Sequence, residues 1–369
     1  MSAPAQPLPT YVWEPTTDYL AGKYSLPRES IVRFDVNTSP MAPDLRDVLT
    51  GSFDPALCEY PPSDYAALVG AAAEAYGVAT SELLPTAGAD EALDLTARAF
   101  LREGSVAVMA TPTYAMYRIV TEQRGASVVT VPRLGPEEGF GLDLPALAAA
   151  ARTADLVWLC EPNNPTGTVE PPERVGELLD LLATDAARDG RPAPAVVVDE
   201  AYGEFVGRSV LPLRDVYPRL VVIRTLSKAH ALAGARVGFA VARPETLAPI
   251  LSFRAPASVS TVSAALATAA LRRPELAALN VARISAQRLR LTEDLAQIGW
   301  RPYPSEVNFI LILFRSPSEA GSAAEALLRC GLVPRSFGSD HPLADCLRLT
   351  VRSASENDRL VEAARGIRA

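Results

Sequence analysis

The stretch RTLSKAHALAGAR, residues 224–236, decides the fold, because it joins a short buried strand to a turn that carries one lysine. The apolar run 220–223 directly before it is typical of a strand buried in a sheet. Lys228 can form a Schiff base with an aldehyde cofactor, although a solvated lysine in a polar turn fits the same pattern. Hydroxyls and a guanidinium suit a phosphate, and small residues let the backbone approach it closely. The hydroxyls in this stretch belong to Thr225 and Ser227, and the guanidinium belongs to Arg236.

Three further stretches support a cofactor site over a simple turn. They are AGADE at 87–91, NNPTG at 163–167 and DEAY at 199–202. Together with the lysine segment they resemble the fold-type I pyridoxal-phosphate aminotransferases, most closely the histidinol-phosphate aminotransferases. The resemblance extends from about Arg33 to Leu360. It implies an α/β fold with a mostly parallel, doubly wound large domain and a smaller α+β domain.

The order of elements agrees with this fold. Apolar runs of strand length alternate with helical stretches up to about residue 241, which is typical of a parallel sheet, and 369 residues suit two domains. We expect residues 1–30, which lack clear periodicity, to form an extended N-terminal arm that is either loose or packed on a partner subunit. The predicted large cofactor-binding domain spans residues 45–250, and the small domain combines residues 31–44 with 251–369.

Composition narrows the class of protein. A net charge of −8 without a Lys/Arg cluster argues against nucleic-acid binding, and two histidines argue against a His-based metal site. The N-terminus lacks the pattern of a secretory signal, and no run of about 18 apolar residues predicts a membrane span. We therefore expect a cytoplasmic enzyme. Four scattered cysteines are expected to be buried thiols of a reducing compartment: Cys58, Cys160, Cys330 and Cys346.

The resemblance assigns cofactor roles to residues at predicted strand ends and helix starts. Asp199 follows a buried strand, where a carboxylate can keep a pyridine nitrogen protonated. Asn164 and Tyr202 are expected at the phenolate oxygen of pyridoxal 5'-phosphate, and Tyr114 is expected to stack on its ring, with a core role as the alternative. The phosphate ligands implied are Ala89, Asp90, Thr225, Ser227, Arg236 and, from a partner subunit, Tyr60, for which a buried structural role is the alternative.

Three residues are candidates for binding the substrate. Arg348 lies among apolar neighbours on a predicted strand, where its fork suits a carboxylate and a structural ion pair is the alternative. The resemblance places Arg335 near a substrate phosphate and Asn37 at the mouth of the site, although Asn37 also fits a simple turn. The chain departs from the family pattern at Thr38 and Ser39, and Glu161 has no explanation from the sequence.

The function implied is transamination from L-histidinol phosphate to 2-oxoglutarate, in a homodimer with shared active sites. Lys228 would hold the cofactor and then move a proton as base and acid. An aromatic amino-acid aminotransferase is the first alternative, favoured if Tyr19, Tyr24 and Met41 form an apolar pocket. A threonine-phosphate-type decarboxylase of the same fold is the second, because it shares the cofactor motifs.

Overall fold

The computed structural model describes residues 8–45, 48 and 58–367, so parts of all three predicted regions lie outside the described residues, namely 1–7, 46–47, 49–57 and 368–369. Its strands are numbered in chain order as β1 Val32–Arg33, β2 Leu83–Thr86, β3 Val106–Thr111, β4 Ser127–Pro132, β5 Leu156–Cys160, β6 Ala195–Asp199, β7 Leu220–Thr225, β8 Gly238–Val241, β9 Arg301–Pro302, β10 Phe309–Leu313, β11 Leu332–Val333, β12 Arg335–Ser336 and β13 Cys346–Thr350.

The α-helices are numbered in the same way. They are α1 Thr17–Tyr24, α2 Ala66–Tyr76, α3 Ala89–Phe100, α4 Met116–Glu122, α5 Leu144–Ala151, α6 Pro172–Arg188, α7 Gly203–Val206, α8 Pro244–Leu251, α9 Thr261–Leu271, α10 Pro274–Gln297, α11 Pro317–Arg329 and α12 Ala354–Arg365. Among the described residues, no helix combines the length and the apolar character needed to cross a bilayer.

A seven-stranded sheet in the order β2-β8-β7-β6-β5-β3-β4 forms the centre of the large part. Its strands are parallel except β8, which runs antiparallel to both β2 and β7. Alternate residues of a strand point to opposite faces, so Val196 and Val198 of β6 join one apolar cluster and Val197 joins another. Helices α2, α5, α6 and α9 contribute to the first cluster, and α3, α4 and α8 to the second. The predicted α/β, doubly wound fold is confirmed.

The second part of the chain is built on a smaller antiparallel sheet. Its four strands have the order β12-β13-β10-β9, and β1 pairs beside it with β11. Helices α10, α11 and α12 cover its apolar core, which also includes Tyr202 and Ala229 from the loops after β6 and β7. The loops that carry the lysine segment therefore pack against this smaller part. The exact domain boundaries stay a prediction.

Three expectations about local structure were wrong. The segment 1–30 was expected to be extended, but its residues 17–24 form helix α1, which begins where the Thr16 hydroxyl accepts the Tyr19 N–H. The largely apolar stretch 300–314 predicts a single strand, but it forms the two strands β9 and β10, because residues 303–308 form a loop. Of the cysteines expected to be buried, Cys58 and Cys330 are exposed, whereas Cys160 and Cys346 are buried. Neither exposed cysteine lies on a strand or helix of the core.

Candidate active site

A cavity of about 760 Å³ opens at the carboxyl ends of the central parallel strands. Strands β5, β6 and β7 end there, which is where ligands bind in open α/β sheets. Of the residues predicted for the site, all but one line this cavity: Asn37, Ala89, Asp90, Tyr114, Asn164, Asp199, Tyr202, Thr225, Ser227, Lys228, Arg236, Arg335 and Arg348. The exception is Tyr60, whose side chain is 90% exposed, so it is not the buried tyrosine of the alternative interpretation.

Lys228 lies in the turn after β7, beside the ring of Tyr202. Its Nζ atom is 5.6 Å from the centre of that ring. Burial, followed by the charge of Arg348, lowers the pKa of Lys228 to about 8, because removal from water and a nearby cation both disfavour the ammonium form. The side chain is therefore close to the state in which it can act as a nucleophile or a base at neutral pH.

Asp199 is the last residue of β6 and is almost completely buried. Its Oδ2 accepts a hydrogen bond from the Tyr117 hydroxyl at 2.9 Å, and its Oδ1 accepts the Ala201 N–H at 3.0 Å. Burial raises the pKa of Asp199 to about 6, and the hydrogen bond from Tyr117 opposes the rise. The structure thus brings a buried carboxylate to the cavity that contains Lys228.

A small-residue cradle lies at the start of α3. Gly88 precedes the helix with φ +84°, and no side chain caps the first N–H groups. The positive φ of Gly88 favours glycine, and a Cβ atom there would lie 2.5 Å from Nη2 of Arg236, so the guanidinium would have to move. Across the cradle, the Thr225 hydroxyl donates to Ser227 Oγ at 3.0 Å. Free N–H groups at a helix start, hydroxyls and a guanidinium together form an anion-binding site.

Asp90 does not face this cradle as an isolated negative charge. Its carboxylate accepts one hydrogen bond from Arg236 at 3.1 Å and another from the Tyr114 hydroxyl at 3.1 Å. The ring of Tyr114 meets Tyr117 edge-on, with centroids 5.8 Å apart. Tyr114 therefore lines the cavity and also packs against the core, and its stacking on a cofactor ring stays a prediction.

A polar network connects the two parts of the chain behind the cavity. Asn37 donates through Nδ2 to the Tyr202 hydroxyl at 3.1 Å, and Thr350 donates to Asn37 Oδ1 at 3.1 Å. Asn37 has φ +52°, a left-handed conformation that asparagine tolerates better than most residues. It is buried within the site, and its position fixes the hydroxyl of Tyr202.

Two arginines occupy directly opposed positions on neighbouring strands of the small sheet, Arg335 on β12 and Arg348 on β13. Like charges in such positions destabilise a sheet unless another group compensates them. Among the described residues, Arg348 donates to the neutral Asn164 Oδ1 at 2.6 Å and to the Asp35 carbonyl oxygen, rather than to a carboxylate. Burial lowers the pKa of Arg348 to about 10 and also lowers that of Arg335.

Glu161, unexplained by the sequence, is half of a buried ion pair. Its Oε1 lies 2.7 Å from Nη2 of Arg133, and its Oε2 accepts the Glu170 N–H at 3.0 Å. Arg133 also donates to the carbonyl oxygens of Phe140 and Cys160. The pair ties the loops after β4 and β5 together, which gives Glu161 a structural role.

Sequence reasoning missed two residues that act on the site. Glu14 lines the cavity and forms an ion pair with Arg335. Nothing in the N-terminal sequence indicates this long-range contact. Tyr117 contacts Asp199, and the sequence gives one hint of its role, its place three residues after Tyr114 in the segment that follows β3.

Comparison with known proteins now places the chain. It belongs to the class I and II aminotransferases, because the sequence model of the family "Aminotransferase class I and II" matches residues 48–364. A curated histidinol-phosphate aminotransferase of Xylella fastidiosa (strain 9a5c) is 40% identical over 302 residues, which are 80% of each chain. The predicted family, the transferase class and the pyridoxal-phosphate cofactor are confirmed.

Solved structures agree with this assignment. The crystal structure of histidinol-phosphate aminotransferase from Sinorhizobium meliloti in complex with pyridoxal-5'-phosphate has a TM-score of 0.86 and 26% sequence identity, covering 99% of this chain and 98% of that one. L-threonine-O-3-phosphate decarboxylase from Porphyromonas gingivalis, at 22% identity and a TM-score of 0.75 over 91% of this chain and 99% of that one, shares the fold.

Proposed function

We propose that this chain transfers the amino group of L-histidinol phosphate to 2-oxoglutarate with pyridoxal 5'-phosphate as cofactor. One observation carries the substrate assignment. Two opposed arginines, Arg335 and Arg348, line the same cavity as Lys228, which gives the site two cationic positions for substrate anions. The names of the curated relatives support the same substrate.

The residues present fit the cofactor. The cradle beside Gly88 would take a phosphate, and adding a Cβ atom there would displace the Arg236 guanidinium that lines it. The phosphate ligands we propose are Ala89, Asp90 through its N–H, Thr225, Ser227, Arg236 and Tyr60 from a partner subunit. Asp199 would keep the ring nitrogen protonated, Asn164 and Tyr202 would bind the phenolate oxygen, and Tyr114 would fix the plane of the ring. When bound, the cofactor supplies an aldehyde carbon for the amino group and an electron-poor ring that accepts the electron pair left at Cα.

Lys228 is the catalytic residue in this proposal. Lys228 would hold the cofactor through its amine in the resting enzyme, and that amine would be free once the substrate amine takes its place. Because its pKa is lowered to about 8, a useful fraction of that amine is neutral near pH 7 and can take the proton from the substrate Cα. The protonated Lys228 would then be the acid that gives the proton back on the cofactor side.

The two arginines divide the anions of the two substrates between them. Histidinol phosphate carries a phosphate and no carboxylate, whereas glutamate carries carboxylates and no phosphate. We assign the phosphate to Arg335, and the glutamate carboxylate to the more buried Arg348, whose present partners are neutral. Glu14 would leave Arg335 when a substrate phosphate binds there.

The aromatic-aminotransferase alternative lacks the pocket on which it depended. Tyr19 is 60% exposed and Met41 is 46% exposed, while the Tyr24 hydroxyl donates to Glu325 on α11 at 2.8 Å. None of the three is among the described residues that line the cavity.

The decarboxylase alternative differs in the reaction that is catalysed. Such an enzyme would release carbon dioxide and would need no 2-oxo acid.

We further propose that the enzyme is a cytoplasmic homodimer. The exposed position of Tyr60 supports a shared site, because a tyrosine that reaches a partner's cofactor phosphate must be free of its own core. Asn37, which lines the cavity, supports substrate binding by holding the Tyr202 hydroxyl.

A half-reaction measured by absorbance tests the function. The cofactor-loaded protein would be mixed separately with histidinol phosphate, glutamate, phenylalanine and threonine phosphate, and conversion of the cofactor to its amine form would be recorded. We expect fast conversion with histidinol phosphate and glutamate alone. Conversion by phenylalanine would support the aromatic alternative, and carbon dioxide release from threonine phosphate would support the decarboxylase.

A further inference from the structure

We infer that Tyr117 is a positioning residue of the cofactor site, whose hydroxyl sets the orientation of the Asp199 carboxylate; this inference rests on the proposed function. The hydroxyl donates to Asp199 Oδ2 at 2.9 Å, while the Ala201 N–H donates to Oδ1 at 3.0 Å. Each carboxylate oxygen therefore has its own donor, one from α4 and one from the loop after β6. Two donors on separate elements fix the plane of the carboxylate at the edge of the cavity.

The position of the Tyr117 hydroxyl is itself tightly determined. The side chain is completely buried, and its ring stacks on Trp158 of β5 with centroids 5.5 Å apart and planes 8° apart. Trp158 Nε1 donates to Thr121 Oγ1 at 3.0 Å, and the Thr121 hydroxyl donates to the Tyr117 carbonyl oxygen at 2.7 Å. The phenol is thus held between α4 and β5, so its oxygen atom is fixed beside Oδ2 of Asp199.

The charges around Asp199 explain why this donor matters. Burial and the charge of Asp90 raise the pKa of Asp199, whereas the hydrogen bonds from Tyr117 and Ala201 and the charge of Lys228 lower it. Burial dominates, and the pKa is about 6. Burial also raises the pKa of Tyr117 well above its usual value, so the hydroxyl remains a donor at neutral pH. The titratable groups that face the carboxylate are Asp90, Tyr117, Cys160, Tyr202 and Lys228.

Loss of the hydroxyl would change the charge state of the site. In Tyr117→Phe the ring and its stacking stay, but Oδ2 of Asp199 loses its donor, so the pKa of the carboxyl rises further. The carboxyl then takes a proton at a higher pH than in the wild type. Since the ionised carboxylate is the form that pairs with a protonated ring nitrogen, cofactor affinity is lost at a higher pH.

The test is cofactor binding as a function of pH. Cofactor-free wild-type and Tyr117→Phe proteins would be titrated with pyridoxal 5'-phosphate from about pH 5 to about pH 8, with tryptophan fluorescence as the readout. We expect the pH below which affinity is lost to rise by about one unit in the variant. Where the carboxyl is protonated in both proteins, near pH 5, this shift corresponds to about tenfold weaker affinity in the variant, whereas near pH 8 the two proteins should bind almost equally.

Tyr65→Phe is the matched control. It also removes a buried tyrosine hydroxyl, one that bonds the backbone of Val259 instead of the site, so the pH midpoint should stay at the wild-type value. Trp158→Phe keeps the Tyr117 hydroxyl but removes the indole that holds it, so the midpoint should rise by less than in Tyr117→Phe. This second variant also serves if Tyr117→Phe does not fold.

A folded Tyr117→Phe with the wild-type midpoint, or with affinity reduced equally at every pH, would overturn the inference. The same holds for a folded Trp158→Phe with an unshifted midpoint if Tyr117→Phe does not fold. Failure of the proposed function is a separate result, because it would show as wild-type protein that binds no pyridoxal 5'-phosphate or that does not react with histidinol phosphate.

Discussion

At the scale of single residues, the reactivity of Lys228 can be measured separately, because the chain contains only one other lysine, Lys23. Burial lowers the pKa of Lys228 to about 8, whereas a hydrogen bond with Tyr24 raises that of the exposed Lys23. We predict that an amine-reactive reagent modifies Lys228 of the cofactor-free protein half-maximally near pH 8, and Lys23 only at higher pH, because the neutral amine is the reactive form. Peptide mass spectrometry separates the two sites. Coincident pH profiles would contradict the lowered pKa.

The same two lysines test where the cofactor is attached. After reduction of the loaded protein with borohydride, we predict that the cofactor mass is found on the peptide containing Lys228. Lys23→Arg should change neither the visible absorbance of the bound cofactor nor the trapped peptide, while Lys228→Arg should abolish both. Retention of the absorbance by Lys228→Arg would remove the central residue of the mechanism.

The arginine pair predicts opposite effects on the two substrates. A hydrogen bond between charged groups contributes about 1.5–3 kcal/mol, so Arg335→Gln should raise the KM for histidinol phosphate roughly ten- to hundredfold. Its half-reaction with glutamate should change little. Arg348→Gln should show the reverse preference, with the larger loss for glutamate. Stopped-flow half-reactions separate the two, and equal losses on both substrates in each variant would refute the division of anions.

At the scale of elements, the N-terminal segment 8–16 covers part of the cavity and presents a carboxylate to a substrate-binding cation. Glu14 pairs with Arg335, and the Pro9 carbonyl oxygen accepts from Gln123 Nε2 at 2.9 Å. We predict that Glu14→Gln lowers the KM for histidinol phosphate a few-fold, because the phosphate no longer displaces a carboxylate. Steady-state kinetics with both substrates checks this, and Asp18→Asn, which removes an exposed pairing with Arg28, is the control. A raised KM in Glu14→Gln would show that Glu14 contacts the substrate instead.

The loops after β4 and β5 depend on the buried pair Arg133–Glu161. Removal of one partner leaves an uncompensated buried charge, so Glu161→Gln should lower the free energy of unfolding by about 3 kcal/mol. Glu177→Gln breaks an exposed pair with Arg174 and should cost at most about 1 kcal/mol. Urea unfolding of the cofactor-free protein measures both. Similar losses in the two variants would mean that burial of the first pair carries no special cost.

Elements could be predicted where their signal is local. The apolar run at residues 156–160 predicts strand β5 with its observed bounds, because a buried strand in a parallel sheet is a continuous apolar run. Helix α1 could not be predicted, because only Leu20 and Ala21 of it are buried and its sequence therefore lacks apolar residues at helical spacing. The opposition of Arg335 and Arg348 depends on strand register, and the Arg133–Glu161 contact spans 28 positions. Neither leaves a periodic trace in the sequence.

At the scale of the whole molecule, the site residues were predictable as a set, although their contacts were not. Strand ends of a parallel sheet meet at one edge, so motifs following β5, β6 and β7 had to converge there. The residues from the small part reach this edge only because the loops after β6 and β7 pack into its core cluster. The cavity is therefore a product of the two parts together, and only the half built on parallel strands follows from local sequence.

The last prediction concerns assembly. If Tyr60 reaches the cofactor phosphate of a partner subunit, Tyr60→Phe should weaken cofactor affinity several-fold, because it removes one phosphate hydrogen bond. Lys228→Ala should be inactive. In a refolded mixture of the two variants, a hybrid dimer contains one site with both Lys228 and the partner-derived Tyr60, so wild-type cofactor affinity should return in a fraction of the sites. Refolded Tyr60→Phe alone is the control. Sedimentation should show a dimer throughout, and a monomer, or a mixture that behaves as the average of its components, would refute the shared site.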